Sequence, residues 1–467
     1  MPGALENPGR LMDRRRFLTG AGAVAAGAIA CGTGVAVVAE GTRQIVEPLA
    51  PAPTGPVTLD PADWASVRES FALSQGWIHM SALYIASNPA PVREAIAAHR
   101  RGLDSDPVPY LQRGERSLTF AALDAAGRYM DADPRDVALT DSTTMGLGIV
   151  YGGLLLRAGD EILTTEHDYY VTHEAVRLAA GATGATVRRI RLHEPSDVTS
   201  EGIEIEADEI ADRIAREIRP ATRVVALTWV HSSTGLKLPL ARIAEAVRER
   251  GGDRPAPDRL LLCVDGVHGF GVEDVGMDEH GFDFFVAGCH KWMFGPRGTG
   301  VVWGRGEDAW SLVRPSIPSF LDASSWAAWI RGVSPPGPTT ALRATPGGFK
   351  PFEHRWALAP AFDFMSAIGR ERIAQRTHLL ARRLKEGLLE IERVRLVTPL
   401  SESVSSGIVC FDVEGMSADE VVDLLAGQRV VATVTPYAVT HVRLAPSILN
   451  TPEEVDAAIA AVRSVAG

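Results

Sequence analysis

"AGCHKWMFGPRGTG", residues 287–300, places Lys291 between a histidine and a tryptophan, immediately before a glycine-rich turn. The apolar run "FDFFV" leads into it, so the lysine stands at the end of what reads as a buried strand. Lysine is scarce in this chain, where arginine greatly outnumbers it. A buried ammonium is costly unless its charge is paired, neutralised or used chemically. The alternative is a strand-end lysine that lies along apolar surface and reaches solvent with its tip. What stands at the ends of the neighbouring strands decides between the two.

Working outward, short apolar runs alternate with helical patterns. The runs are "DVALT" (136–140), "DEILTT" (160–165), "TVRRIRL" (186–192), "RVVALTWV" (223–230), "LLLCVDG" (260–266), "FFVAGCH" (284–290) and "GTGVVWG" (298–304). Between most of them lie stretches such as "EADEIADRIAREI", apolar at three-and-four spacing. Strands alternating with helices predict an α/β fold, a mostly parallel seven-stranded sheet with helices on both faces. Past "SWAAWIRGVSPPGPTT", where Pro and Gly break the pattern, a long helical stretch and two strand-like runs predict a smaller C-terminal α+β domain. The expected boundaries are residues 71–335 for the large domain and 336–467 for the small one.

In an open parallel sheet, ligands sit at the carboxyl ends of the strands. After the first run come Ser142, Thr143 and Thr144, leading into an apolar helix. Hydroxyls and free amides at a helix start suit a phosphate, and equally a simple N-cap. After the second comes "EHDYY", with rings that could stack on a flat group, and after the fourth His231, Ser232 and Ser233. After the fifth come Asp265 and His268, an acid whose charge at the end of an apolar strand needs a cation. After the sixth come His290 and Lys291. One ligand satisfies these ends together: a planar heterocycle bearing a phosphate, a ring nitrogen and an aldehyde. Lysine condenses with the aldehyde, and the acid keeps the ring nitrogen protonated so that the ring accepts electrons. That ligand is pyridoxal 5′-phosphate (PLP).

The sequence resembles the class V aminotransferase family of fold-type I PLP-dependent enzymes over nearly all of residues 70–460. "TDSTTMGLGIV" is similar to the family's phosphate-binding turn, and "VDGVH" to its Asp-x-x-His/Gln element. "GCHKWMFGPRGTG" is similar to its His-Lys motif, and "VRLAPSILNT" to the segment whose arginine grips a substrate carboxylate. "HDYY", "WVHSSTGLKLP" and "GFKPFEHRWAL" resemble the isopenicillin N epimerase-like branch. The resemblance implies that Lys291 links to the cofactor and then acts as acid and base at the substrate α-carbon. It implies that Asp265 pairs with the pyridinium and that His268 lies against the ring or its phenolic oxygen. Ser142, Thr143, Thr144 and His290 would hold phosphate, Ser232 would lie near the phenolic oxygen, and Arg443 would hold the carboxylate. A homodimer is expected.

Three departures stand out. Gly288 replaces a serine that desulfurases carry two places before the histidine. The ring-stacking residue falls within "EHDYY", where Tyr169 is the choice. "FEHRW" stands where relatives carry a Glu-x-Gly-Thr element that lends a phosphate ligand from the neighbouring subunit, leaving Arg355 to reach across to phosphate or substrate. Residues 411–467 contain no cysteine, which disfavours a desulfurase. The expected activity is therefore epimerisation or transamination of a free or peptide-borne amino acid. A C–S or β-elimination lyase, or a non-catalytic PLP-fold binding protein, is the alternative.

The formal net charge of −11 argues against a nucleic-acid surface. Cys31, Cys263, Cys289 and Cys410 form no metal-ligand or disulfide framework, and no metal is expected. At the N-terminus, "DRRRFLTG" precedes a Gly/Ala-rich apolar run. The pair Arg14 and Arg15 marks residues 1–40 as a twin-arginine export signal, followed in residues 41–70 by a linker and N-terminal segment that is Pro-rich over 48–64. A transmembrane anchor is the other reading of the run, and Cys31 is a second possible attachment point, for lipid. The signal implies passage of a folded protein through the twin-arginine translocase to the periplasm or another extracytoplasmic space.

Overall fold

The computed structural model describes residues 59–194, 197–255 and 258–467. Arg14, Arg15 and Cys31, with the whole of the expected signal, lie outside the described residues. All seven apolar runs are strands. They are β1 (Val137–Thr140), β2 (Glu161–Thr165), β3 (Thr186–Ile190), β4 (Thr222–Thr228), β5 (Leu261–Asp265), β6 (Phe284–Gly288) and β7 (Gly300–Gly304). They form one sheet in the order β1-β7-β6-β5-β4-β2-β3. Only β7 runs against its neighbours, pairing antiparallel with β1 and β6.

Alternate residues of the central strands feed separate cores, which is why these strands read as unbroken apolar runs. Leu262, Val264, Phe285 and Ala287 join one cluster with Ala122, Leu123 and Ala126 of α1 (Pro107–Met130). Leu261, Cys263, Phe284 and Val286 face the other way, toward Leu147 and Val150 of α2 (Thr143–Gly153) and Val176 of α3 (Tyr170–Thr183). Helices α4 (Ala207–Glu217) and α5 (Leu240–Gly251) return to the first face through Ile210, Ile214, Ile243 and Val247.

Helix α2 packs unusually close to the sheet. A Cβ on Gly146 would lie 2.4 Å from Val286 Cγ1, so only glycine permits the approach. The approach brings the start of α2 against the end of β6.

The helical stretch expected as one long element is two helices, α6 (Leu358–Ile368) and α7 (Arg370–Leu389). Gly369 breaks it with φ +91°, in the left-handed region that glycine enters freely. The smaller C-terminal domain adds β8 (Val394–Leu396), β9 (Val409–Val413), α8 (Ala418–Gly427), β10 (Thr433–Val434), β11 (Val442–Leu444) and α9 (Pro452–Ala466). Its antiparallel sheet runs β8-β9-β11-β10. Glu273, just past β5, ties the domains together. It accepts hydrogen bonds from Lys237 of the large domain at 2.9 Å and from His378 of α7 at 2.9 Å.

Candidate active site

The turn after β6 is held from outside the motif. Asn88 Nδ2 donates to the carbonyls of Phe294 (3.0 Å) and Gly295 (2.7 Å), and Ala86 N–H donates to His290 O (3.0 Å). Phe294 takes φ +52°, a conformation that a bulky residue adopts only when its surroundings enforce it. The turn presents Lys291 at the strand end, partly buried. Burial lowers its ammonium to about 8, with Asp265 opposing and Arg443 assisting.

Asp265 closes β5 and is only 2% exposed. It accepts from Val267 N–H at 3.1 Å and from the Thr172 hydroxyl at 3.4 Å. Burial pushes its carboxyl up to about 6, against the Val267 N–H and the charge of Lys291. His268 is buried, and its Nδ1 accepts from Trp292 Nε1–H at 3.3 Å. His290 has an enclosed Nδ1 with no partner, and burial together with Lys291 lowers it to about 4.

At the start of α2, Ser142 Oγ accepts Met145 N–H at 3.1 Å and so caps the helix. Thr143 Oγ1 accepts Gly288 N–H at 2.8 Å, which leaves its own proton to donate. A Cβ on Gly288 would come within 3.2 Å of that same oxygen and 3.1 Å of the His290 ring. A side chain here would crowd Thr143 and His290. Thr144 is exposed and lines a cleft of about 500 Å³ with Ser142, Met145, Ile149 and Ile317.

Ser232 Oγ lies 2.8 Å from the Tyr437 hydroxyl, and its carbonyl accepts from Arg443 Nη1 at 3.0 Å. Arg443 is 4% exposed, and its other bonds go to Thr433 Oγ1 (3.1 Å) and Val434 O (2.9 Å). All three acceptors are neutral. Burial accordingly lowers this guanidinium below its ordinary value. Tyr169, at the start of α3, meets Tyr437 edge-on with centroids 5.9 Å apart. Arg355 is buried, and the charges acting on it are Asp141, next to Ser142, and Glu115.

Four contributors were not visible in the sequence. Asp168, inside "HDYY", is a brace rather than a stacking residue. Its oxygens accept from Thr164, from the Thr165 amide and hydroxyl, and from Thr228 N–H, all at 2.6–2.8 Å. Thr172, Asn88 and Tyr437 carry no local signal, because each acts on a strand end remote in sequence.

These groups fit PLP. Thr143, with a proton free to donate, and His290 would be partners for a phosphate, the buried Asp265 lacks a direct cation, and Arg443 has only neutral acceptors for its charge. The described thiols, Cys263, Cys289 and Cys410, are all buried. Burial pushes Cys289 and Cys410 up to about 12 and Cys263 well above its ordinary value, so none is a reactive thiolate.

The aminotransferase class V family model matches residues 127–457. Isopenicillin N epimerase of Streptomyces clavuligerus is 27% identical over 420 residues, covering 87% of this chain and 99% of that protein. A probable cysteine desulfurase of Xylella fastidiosa is 25% identical, covering 86% and 95%. Among solved structures, a cystine C–S lyase mutant with glycine covalently linked to its PLP cofactor superposes with TM-score 0.73. Its identity is 22%, over 85% of this chain and 98% of that one.

Proposed function

This chain belongs to the class V aminotransferase family, and from that premise we propose that it acts at the α-carbon of a free or peptide-borne amino acid, as an epimerase or transaminase. Its cofactor is PLP. Bound there, the cofactor supplies an aldehyde for covalent linkage to an amino group and a ring that accepts the electrons released at the α-carbon. The chain's own residues do the rest. Thr143, His290 and the start of α2, with Ser142 and Thr144, hold the phosphate, and Asp265 keeps a proton at the ring nitrogen. Lys291 removes and returns the α-proton, for which a lysine lowered toward neutral pH is suited. Tyr169 is offered as the ring-stacking group.

The observation that carries this reading is Arg443, a buried guanidinium with only neutral protein acceptors, fixed to Ser232 beside the reactive lysine. Such a group calls for a carboxylate from the substrate. A C–S or β-elimination lyase is the second reading, supported by the lyase fold neighbour. The buried thiols weigh against a desulfurase that carries sulfur on its own cysteine.

The test is exchange in D₂O with amino-acid and peptide panels. Deuterium at the α-carbon with loss of chirality indicates epimerisation, and a keto acid indicates transamination. Pyruvate with ammonia or sulfide, without exchange into recovered substrate, would favour the lyase. In the responsive case Arg443→Ala should raise KM about 100-fold, with a smaller fall in kcat. An unchanged KM would remove the assigned role.

We further propose export in folded form through the twin-arginine translocase, on the strength of Arg14 and Arg15 before the Gly/Ala-rich run. Replacing both by lysine should leave cofactor-bound enzyme in the cytoplasm, measured by fractionation and N-terminal sequencing. An unchanged location would overturn the signal. A homodimer is also proposed, because Phe320, Trp326, Trp329 and Phe349 lie exposed between 64% and 82% within one stretch of chain. A monomeric mass in solution would count against it.

A further inference from the structure

His268 stands three residues past Asp265, and Trp292 is the residue after Lys291. Both are buried, and their hydrogen bond joins the ends of β5 and β6. An indole N–H can only donate. The His268 Nδ1 that accepts it therefore carries no proton, and a neutral ring must then carry its proton on Nε2. His268 makes no other hydrogen bond among the described residues. Two glycines lie close against Trp292. A Cβ on Gly271 would lie 2.6 Å from the Trp292 carbonyl carbon, and one on Gly407 would lie 3.0 Å from the indole Cη2. The chain thus packs glycine against both the backbone of the tryptophan and the far edge of its ring.

We propose that Trp292 is a positioning residue that locks His268 as the Nε2–H tautomer, making His268 a fixed hydrogen-bond donor to an oxygen of the bound cofactor. This rests on the PLP assignment above, and concerns a residue that need not touch the cofactor itself. Burial, followed by the charges of Lys291 and Arg443 and by His290, holds His268 well below its ordinary value. The imidazolium is thereby disfavoured, and only the choice between two neutral tautomers remains. A donor facing the oxygen favours its anionic form, whereas the flipped tautomer would set a lone pair against it.

The test uses four holoenzymes: wild type, Trp292→Phe, His268→Gln and the double variant. A glutamine amide offers a donor in either background, because it can turn and has no tautomer to lock. The pH midpoint of the visible absorption change should rise by about one unit, a tenfold shift, when Trp292→Phe is made in wild type. The same substitution in the His268→Gln background should move it little. Nitrogen-15 NMR of histidine-labelled holoenzyme should show His268 protonated at Nε2 alone in wild type, and mixed in Trp292→Phe. Equal shifts in both backgrounds would mean that the tryptophan acts by packing, and a mixed tautomer in wild type would also overturn the proposal. If borohydride fixes no pyridoxyl group on Lys291, the cofactor assignment fails and the inference falls with it. A normal adduct with no shift in the midpoint refutes the lock alone.

Discussion

Replacing Lys291 by alanine should reduce turnover by ~10⁴-fold or more while leaving the chain folded. The expectation rests on two features of the strand end. The backbone of the turn is fixed by Asn88 and by the Ala86 amide, neither of which depends on the lysine side chain. The side chain itself makes no hydrogen bond among the described residues, so its removal leaves no donor or acceptor stranded. Circular dichroism and thermal unfolding should therefore resemble the wild type. Borohydride treatment of the wild-type holoenzyme should fix a pyridoxyl group on Lys291 and bleach the visible band, and mass spectrometry would locate it. An adduct on any other residue, or an active Lys291→Ala, would dismantle the site described above.

Asp265→Asn should move activity and cofactor-free stability in opposite directions. Asparagine keeps the shape but cannot carry the charge that protonates the ring nitrogen, so turnover should fall roughly 100-fold or more. Without cofactor the sign reverses. The Asp265 carboxyl rises from 3.8 to about 6 on folding, chiefly through burial. The folded chain therefore binds this proton more tightly than the unfolded one does. Its contribution is most favourable below pH 3.8 and declines as pH rises toward about 6, after which it stays constant. At pH 7 the ionised carboxylate costs about 2–3 kcal/mol, which asparagine avoids. Urea unfolding of both cofactor-free proteins at pH 7 should place Asp265→Asn above wild type, and cofactor should reverse the order. A cofactor-free variant less stable than wild type would show that Asp265 is already satisfied by the protein and does not await a cation.

The strand ends were the legible part of the site because a parallel sheet converts sequence into position. Each apolar run ends where its covering stops, so the residue just beyond it faces the ligand edge whatever its distance in sequence from the others. Asp265, His268, His290, Lys291 and the Ser142–Thr144 turn were readable on that ground. Arg355 illustrates the limit. Its position in "FEHRW" suggests a reach across to phosphate or substrate from the neighbouring subunit, and within one chain the charges acting on it are Asp141 and Glu115. A short helix fixes which way such a side chain points, and no periodicity in the sequence encodes that direction.

The sequence by itself determined the seven strands, the α/β class and the set of chemical groups, because burial on both faces and a costly lysine leave a pattern in the order of residues. The tertiary structure alone decided how those groups are held. Asp168 bracing β2 against β4, Asn88 pinning the turn of Lys291, Tyr437 meeting Ser232 and Trp292 choosing the tautomer of His268 are all contacts between residues distant along the chain or across strand ends. Hydrogen bonds act over about 3 Å and depend on angle. Only the packed backbone brings such partners within that range.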